Sequence, residues 1–375
     1  DGISIGKSAG NGTLSGGNYN LAIGRSAALN LTTGDSNTAV GRSALAASGA
    51  SPLTGSQNTG IGLDAGAKVS SGSNNFMGGA QAGNAITSGS QNTFIGYNSD
   101  GVASSSNQTA LGYQAISGGA SATALTNSYA SGSESFAAAI ANNTSSYGAT
   151  GANSIAMGQL AKSTAAQSIS MGNTSFASGV KSMALGGYYA RSEGENSLAL
   201  GSYSLAENVG SVAIGPYSQA KTIGKVAFNA SSTGSMTTGP GKQQRGLYIL
   251  KATTADATQT VLTGNGSTPD ASNSWLIGVA AAQAFSGTLI ARQDRDEGHD
   301  YAAWEIKGAA LMNATVVELG TAIVNKLYNS TGASAWAIAV SANTTLGTLE
   351  IKVTGAASTD IDWVATIDTS ELVNI

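Results

Sequence analysis

Cysteine is absent from the 375 residues, which excludes disulfides and thiolate metal sites. One histidine, His299, is all the chain offers for Ser–His–Asp or Cys–His chemistry, and no nucleophile motif accompanies it. Charged residues are scarce as well, at 10% of the chain, and the net charge is −4. The few Lys and Arg are scattered, so no basic face for nucleic acid is expected. No apolar run approaches the length of a membrane span, and neither heptads nor a membrane β-barrel pattern is present. No signal-peptide pattern opens the chain. Asp1 falls inside a repeat phrase, Ile3-Ser4-Ile5-Gly6, so an upstream segment is expected. These absences point away from an enzyme, from a cofactor and from a metal centre.

What the chain has in excess is Gly, at 51 residues about twice its average usage, with Ser, Thr, Asn and Ala filling much of the rest. Low charge and abundant Gly suit a disordered tract, but here the apolar residues recur at fixed positions. A phrase of the form Asn/Ser-x-Ala-apolar-Gly returns about every fourteen to eighteen residues, as in Asn37-Thr38-Ala39-Val40-Gly41 and Ser182-Met183-Ala184-Leu185-Gly186. Its glycines stand at 6, 24, 41, 62, 79, 96 and 112, then at 158, 172, 186, 201 and 215. A fixed period means one structural unit stacked on copies of itself, a solenoid.

Two repeat types follow one another. Over 1–121 a Gly-Ser-x-Asn phrase leads each copy at spacings of sixteen to twenty-one residues. Over 122–229 the leading residue becomes Ser and the spacing tightens mostly to fourteen, with a looser stretch near 140–152. Degenerate copies at 123–125 and 136–138 bridge the two. Apolar residues alternate with Ala, a strand signature with one side-chain set pointing inward. Fourteen residues at about 3.3 Å each give a perimeter of roughly 46 Å, one coil of a β-solenoid. So narrow a coil leaves an apolar stripe uncovered: Ile23, Val40, Ile61, Ile95, Leu111, Met157, Met171, Leu185, Leu200 and Ile214. A stripe of this kind is covered by other copies, so a homotrimer with these residues in its core is expected.

Asn196-Ser197-Leu198-Ala199-Leu200-Gly201 and Gly210-Ser211-Val212-Ala213-Ile214-Gly215 resemble the repeats of trimeric autotransporter adhesin heads. That resemblance implies a left-handed parallel β-roll three chains wide. The longer repeats of 1–121 resemble those of phage tail fibres and related surface fibres.

Residues 230–243 read as a linker, and beyond it the periodicity stops. Over 240–375 there are thirteen acidic and eight basic residues, and all four Trp lie there. Strands are expected at 247–254, 258–263, 274–279, 285–292, 301–307, 314–319, 335–341, 347–353 and 361–368. Short alternating strands without a helix pattern predict an antiparallel β-sandwich or jelly-roll-like domain over 244–375. The stretches Phe285–Arg292, Ala302–Gly308 and Asp360–Thr366 resemble the C-terminal domains of phage tail-fibre proteins.

The densest charge run contains Arg292, Asp294, Arg295, Asp296, Glu297, His299 and Asp300. It reads first as a solvated hairpin loop, and second as a receptor-contact loop or a Ca²⁺ site, although it matches no standard calcium loop. Gly234–Lys242 has the look of a phosphate loop, but Pro240 sits where its Lys should be. The four Trp read as core, Tyr188, Tyr189, Tyr203 and Tyr217 as a turn ladder, and Asn20, Asn37, Asn58, Asn75 and Asn92 as a hydrogen-bonded ladder. Together these features lead to a non-enzymatic, trimeric attachment fibre. Its first reading is a phage tail fibre or receptor-binding protein on a virion, joined to other virion proteins through the upstream segment. The alternative is the head of a bacterial surface adhesin, and a tailspike polysaccharide depolymerase comes third. In the first two the partner is a host-cell receptor, met at the C-terminal tip.

Overall fold

Most strands built from this repeat are only three residues long, because the Gly that follows turns the chain away. At Gly41 the backbone has φ 134°, and a Cβ there would lie 2.3 Å from the carbonyl oxygen of Gly62 in the next rung. Only Gly admits both that conformation and that approach. The computed structural model describes residues 2–11, 17–48, 51–138, 146–229, 242–277, 282–294, 299–313 and 316–373. Among them the chain is all-β, with no helix, and it divides into two compact units, Asp1–Lys181 and Ser182–Ile375.

In the first unit eleven short strands, from Ile3–Ile5 to Ile169–Asn173, stack in parallel and in register. Thr38 pairs with Thr59, Thr59 with Phe76 and Phe76 with Thr93. The copies at 123–125 and 136–138 are full rungs of this ladder. From Asp100 onward a second column of two-residue strands joins in, running through Ile116–Ser117 and Tyr129–Ala130 to Phe176–Ala177.

Repeat length sets what each coil can hold. The longer rungs enclose Leu31, Leu45, Leu53, Val69, Met77, Ile86 and Phe94, all fully buried. The shorter rungs enclose little beyond Ala and Ser, with Ser163 and Ser168 hydroxyls 2.6 Å apart and those of Ser170 and Ser175 2.7 Å apart. The leading residue changes with the length. In the long rungs each Asn reaches the next coil: the backbone N–H of Asn58 donates to Asn37 Oδ1 (2.9 Å) and that of Asn75 to Asn58 Oδ1 (3.1 Å). Each Asn Nδ2 also donates to a rung carbonyl, Asn58 to Gly72 at 2.9 Å. The expected Asn ladder is therefore present, and it runs from Asn20 to Asn92. In the short rungs Ser154 and Ser168 instead donate to a carbonyl three residues back, at 2.7 Å, closing their own turn.

The second unit opens with four rungs, Met183–Tyr188, Leu198–Leu200, Val212–Ile214 and Val226–Phe228. Ten strands follow, β1 (Lys242–Thr254), β2 (Thr260–Val261), β3 (Trp275–Leu276), β4 (Ala282–Gln293), β5 (Tyr301–Asn313), β6 (Val316–Leu319), β7 (Ile323–Asn329), β8 (Ala337–Asn343), β9 (Thr348–Thr354) and β10 (Ile361–Val373). The last rung pairs antiparallel with β1, and the sheet continues β1–β10–β4–β5, with β6 and β7 both on the far side of β5. In the smaller sheet β9 pairs with β2, β3 and β8. Between the two sheets lies one core, in which Trp275, Trp304, Trp336 and Trp363 are all buried with Tyr248, Leu289 and Ile351. Strand β7 was not expected. Its residues are nearly all exposed, so no alternation of apolar and polar side chains marks it. The looser-stretch residues 139–145 and the linker residues 230–241 lie outside the described residues.

Candidate functional site

The rungs are patterned inside out. In nearly every rung the central residue is buried; it is small in most, at 0% exposure for Ala39, Ala156, Ala184, Ala199 and Ala213, and is Met77 or Phe94 in two of the longer ones, while large apolar residues beside it face outward. Ile61 and Ile95 are each 45% exposed and Leu200 43%. Ile23, Met157 and Met171 are exposed too, and Val40, Leu111, Leu185 and Ile214 are half-buried. The short coils have no room for them inside, and the longer coils are filled by other side chains such as Leu45, Met77 and Phe94. In-register stacking places them in columns: Leu185 beside Leu200, Leu200 beside Ile214, Ile214 beside Phe228 in the second unit.

A second feature lies on the turns of the second unit. Tyr189, Tyr203 and Tyr217 sit at left-handed φ values of 50°, 58° and 61°. Tyr203 stacks on Tyr217 with centroids 4.9 Å apart and planes at 7°, and on Tyr189 at 5.6 Å and 21°. In the first unit Tyr97 and Tyr113 stack at 5.7 Å and 15°. Both faces of Tyr203, and one face of each of its stacked neighbours, are thus spent on neighbouring rungs. Loss of water between the rings, and then the adjacent phenols, raise the pKa of Tyr203.

The charged loop divides between structure and surface. Arg292, Asp294 and His299 are exposed. Asp300 is half-buried: its carboxylate accepts from the Ser330 hydroxyl and from the Gly332 N–H (3.2 Å), and its carbonyl accepts from the Gln293 N–H (2.9 Å). It therefore ties the 330–332 turn to the β4–β5 hairpin. Arg295, Asp296 and Glu297 lie outside the described residues. Among the described residues no three His, Asp or Glu side chains converge as a metal site.

Sequence reading missed the most heavily buried charges. Lys225 Nζ lies 2.9 Å from both carboxylate oxygens of Glu371, with side-chain exposures of 6% and 1%. The Thr369 hydroxyl (2.7 Å), the Tyr248 hydroxyl (3.3 Å) and Gln244 Nε2 also donate to Glu371, and the ammonium sits 4.8 Å from the centre of the Tyr248 ring. Burial lowers the Lys225 pKa, opposed by the Glu371 charge, and pushes the Tyr248 hydroxyl well above its usual value. A signal was available. Lys225 occupies the place in its rung that Ser154, Ser168, Ser182, Ser197 and Ser211 hold in theirs, a position pointing into the coil.

Residues 149–175, 163–188, 177–204 and 192–218 match the YadA head domain repeat (2 copies). The matched segment thus covers five of the short rungs, from Ile155–Met157 to Val212–Ile214, and the turns that carry Tyr189, Tyr203 and Tyr217. No curated protein matches the chain.

Proposed function

We propose that this chain is an adhesin head that works as a homotrimer on a bacterial surface, binding a host-cell receptor without catalysis. The observation that carries the reading is the outward apolar column on rungs that match the YadA head repeat. Three such columns brought together about an axis leave water at about 25 cal/mol per Å² of apolar surface, and no single coil can hide its own. The virion-fibre reading takes second place, because it rests on the sequence resemblance of residues 285–366 and on the longer repeats alone. Receptor contact is assigned to the C-terminal loops, with exposed Arg292, Asp294 and His299 the first to test.

Light scattering of the full chain at micromolar concentration gives three chain masses on this reading. Leu200→Asp sets one charge per copy into a single buried layer, at a cost on the order of several kcal/mol before relaxation, and yields separated chains. A well-folded wild-type monomer at that concentration defeats the proposal. Release of reducing sugar from host capsule would move the protein into the enzyme class instead.

A further inference from the structure

In the second unit the outward face of the rungs does not end at the last rung. Because Phe228 pairs with Arg245 in β1, one lateral row runs through register partners Leu200, Ile214, Phe228, Arg245, Ser370, Ala284 and Ala309. Side chains in one lateral row of a sheet lie on the same face. The face that carries the apolar column is therefore also the outer face of the sandwich's large sheet.

Along that row side-chain size drops sharply. Phe228, 41% exposed, and the exposed Arg245 beside it stand as a wall, and beyond them Ser370, Ala284 and Ala309 make a low floor, with Leu372 and Leu311 exposed in the neighbouring row of the same face. The hollow is a groove of about 1030 Å³ lined by these residues, Arg245 and Glu318 among others. A flat neighbour pressed on the rung column would leave this hollow unfilled, and an unfilled apolar hollow forfeits its dispersion contacts.

We propose that the seam between copies passes from the roll onto the sandwich, and that a neighbouring copy fills the groove at the foot of Phe228. The inference rests on the trimer reading above, and the argument for a second copy is continuity. The groove lies on the face that copies share along the rungs, on the same sheet and one strand further. In a parallel three-fold arrangement a neighbour presents its own residues at the same level. There its large exposed apolar side chains are Phe228, Leu311 and Leu372, of a size that the Ser/Ala floor admits. The C-terminal sandwich is then an assembled part of the trimer, not three separate domains.

Absence of cysteine makes the test direct, because one introduced thiol is the only label site. Ala284→Cys in the full chain is spin-labelled on the groove floor, and Ile214→Cys on the rung column serves as reference. The expected result is dipolar broadening at both positions, lost when labelled chains are co-assembled with excess cysteine-free wild type. In a double variant, Ala309→Glu with Ala284→Cys, broadening at 284 is lost. Ala309→Glu paired with Ile214→Cys keeps the rung signal, and buried tryptophan fluorescence reports that the sandwich still folds. A trimer with broadening at 214 and none at 284 overturns this inference and leaves the adhesin reading standing. A monomer overturns both.

Discussion

Lys225 shows how a single side chain can serve one place in a repeat and no other. At an inward position where other rungs need only a hydroxyl, it delivers a charge to Glu371 on β10 and so joins the last rung to the sheet that follows. Taking away one partner strands the other in a dry site, which costs about 3–5 kcal/mol, whereas replacing a buried pair by apolar residues of similar size is often neutral. Lys225→Met and Glu371→Gln should each lower the denaturant midpoint strongly. Lys225→Met with Glu371→Leu should recover most of the loss, and a double-mutant cycle in which the two changes merely add would contradict the account. Asp100 is a milder case with a pH signature. Burial lifts its carboxyl above 3.8, against the N–H groups of Gly101 and Ala85 that hydrogen-bond the charged form. The native state then holds the proton at pH values where the unfolded chain has lost it. Stability should fall as pH rises through the window just above 3.8. Asp100→Asn keeps an amide oxygen for the N–H of Gly101 (2.8 Å) and of Ala85 (3.1 Å). It should flatten that part of the melting-temperature curve, and an unchanged slope would count against a buried ionising Asp100.

At the scale of the element, the rung was legible in the sequence because its rules are local. Period, turn Gly and the Asn or Ser lead are all set by neighbouring coils, so each copy repeats the same instruction. Gly41 can be tested on those terms. Gly41→Ala must accommodate both φ 134° and a 2.3 Å approach to the Gly62 carbonyl. It should destabilise the first unit by more than the roughly 1 kcal/mol by which Gly and Ala differ in ordinary strands and helices. Calorimetry showing no loss would mean that the backbone shifts freely there. Strand β7 was illegible for the opposite reason. Ile323 and Leu327 are 60% and 55% exposed, and β7 is held by its pairing with β5 rather than by a buried face. Periodicity detects burial, and this strand has almost none. The groove beside Phe228 was equally hidden, since it depends on the register between a rung and strands more than fifty residues away.

For the whole molecule, the inside-out pattern links assembly to surface chemistry. A globular core would place leucine inside and alanine at the margin; the short rungs do the reverse because their coils are too narrow, whereas the longer rungs keep Leu31, Leu45 and Leu53 inside as well. On the trimer reading proposed above, the apolar burial that the outward columns lack comes from other copies. Stacking in register has a further consequence, for length. Each rung presents the next with an identical backbone edge, so a rung can be removed without changing any face, provided the excision is a whole period. Deleting Leu198–Ser211 joins Ser197 to Val212, a residue that already pairs with Leu198. Such a chain should fold and assemble with its reach shortened by one strand spacing, about 4.8 Å. A deletion of half that length would turn every later side chain to the wrong wall. Circular dichroism and light scattering on the two deletions separate the outcomes, with equal damage from both arguing against modular rungs. Length in the stacked part of this protein is therefore counted in whole coils, so a lineage can gain or lose rungs without redesigning any contact.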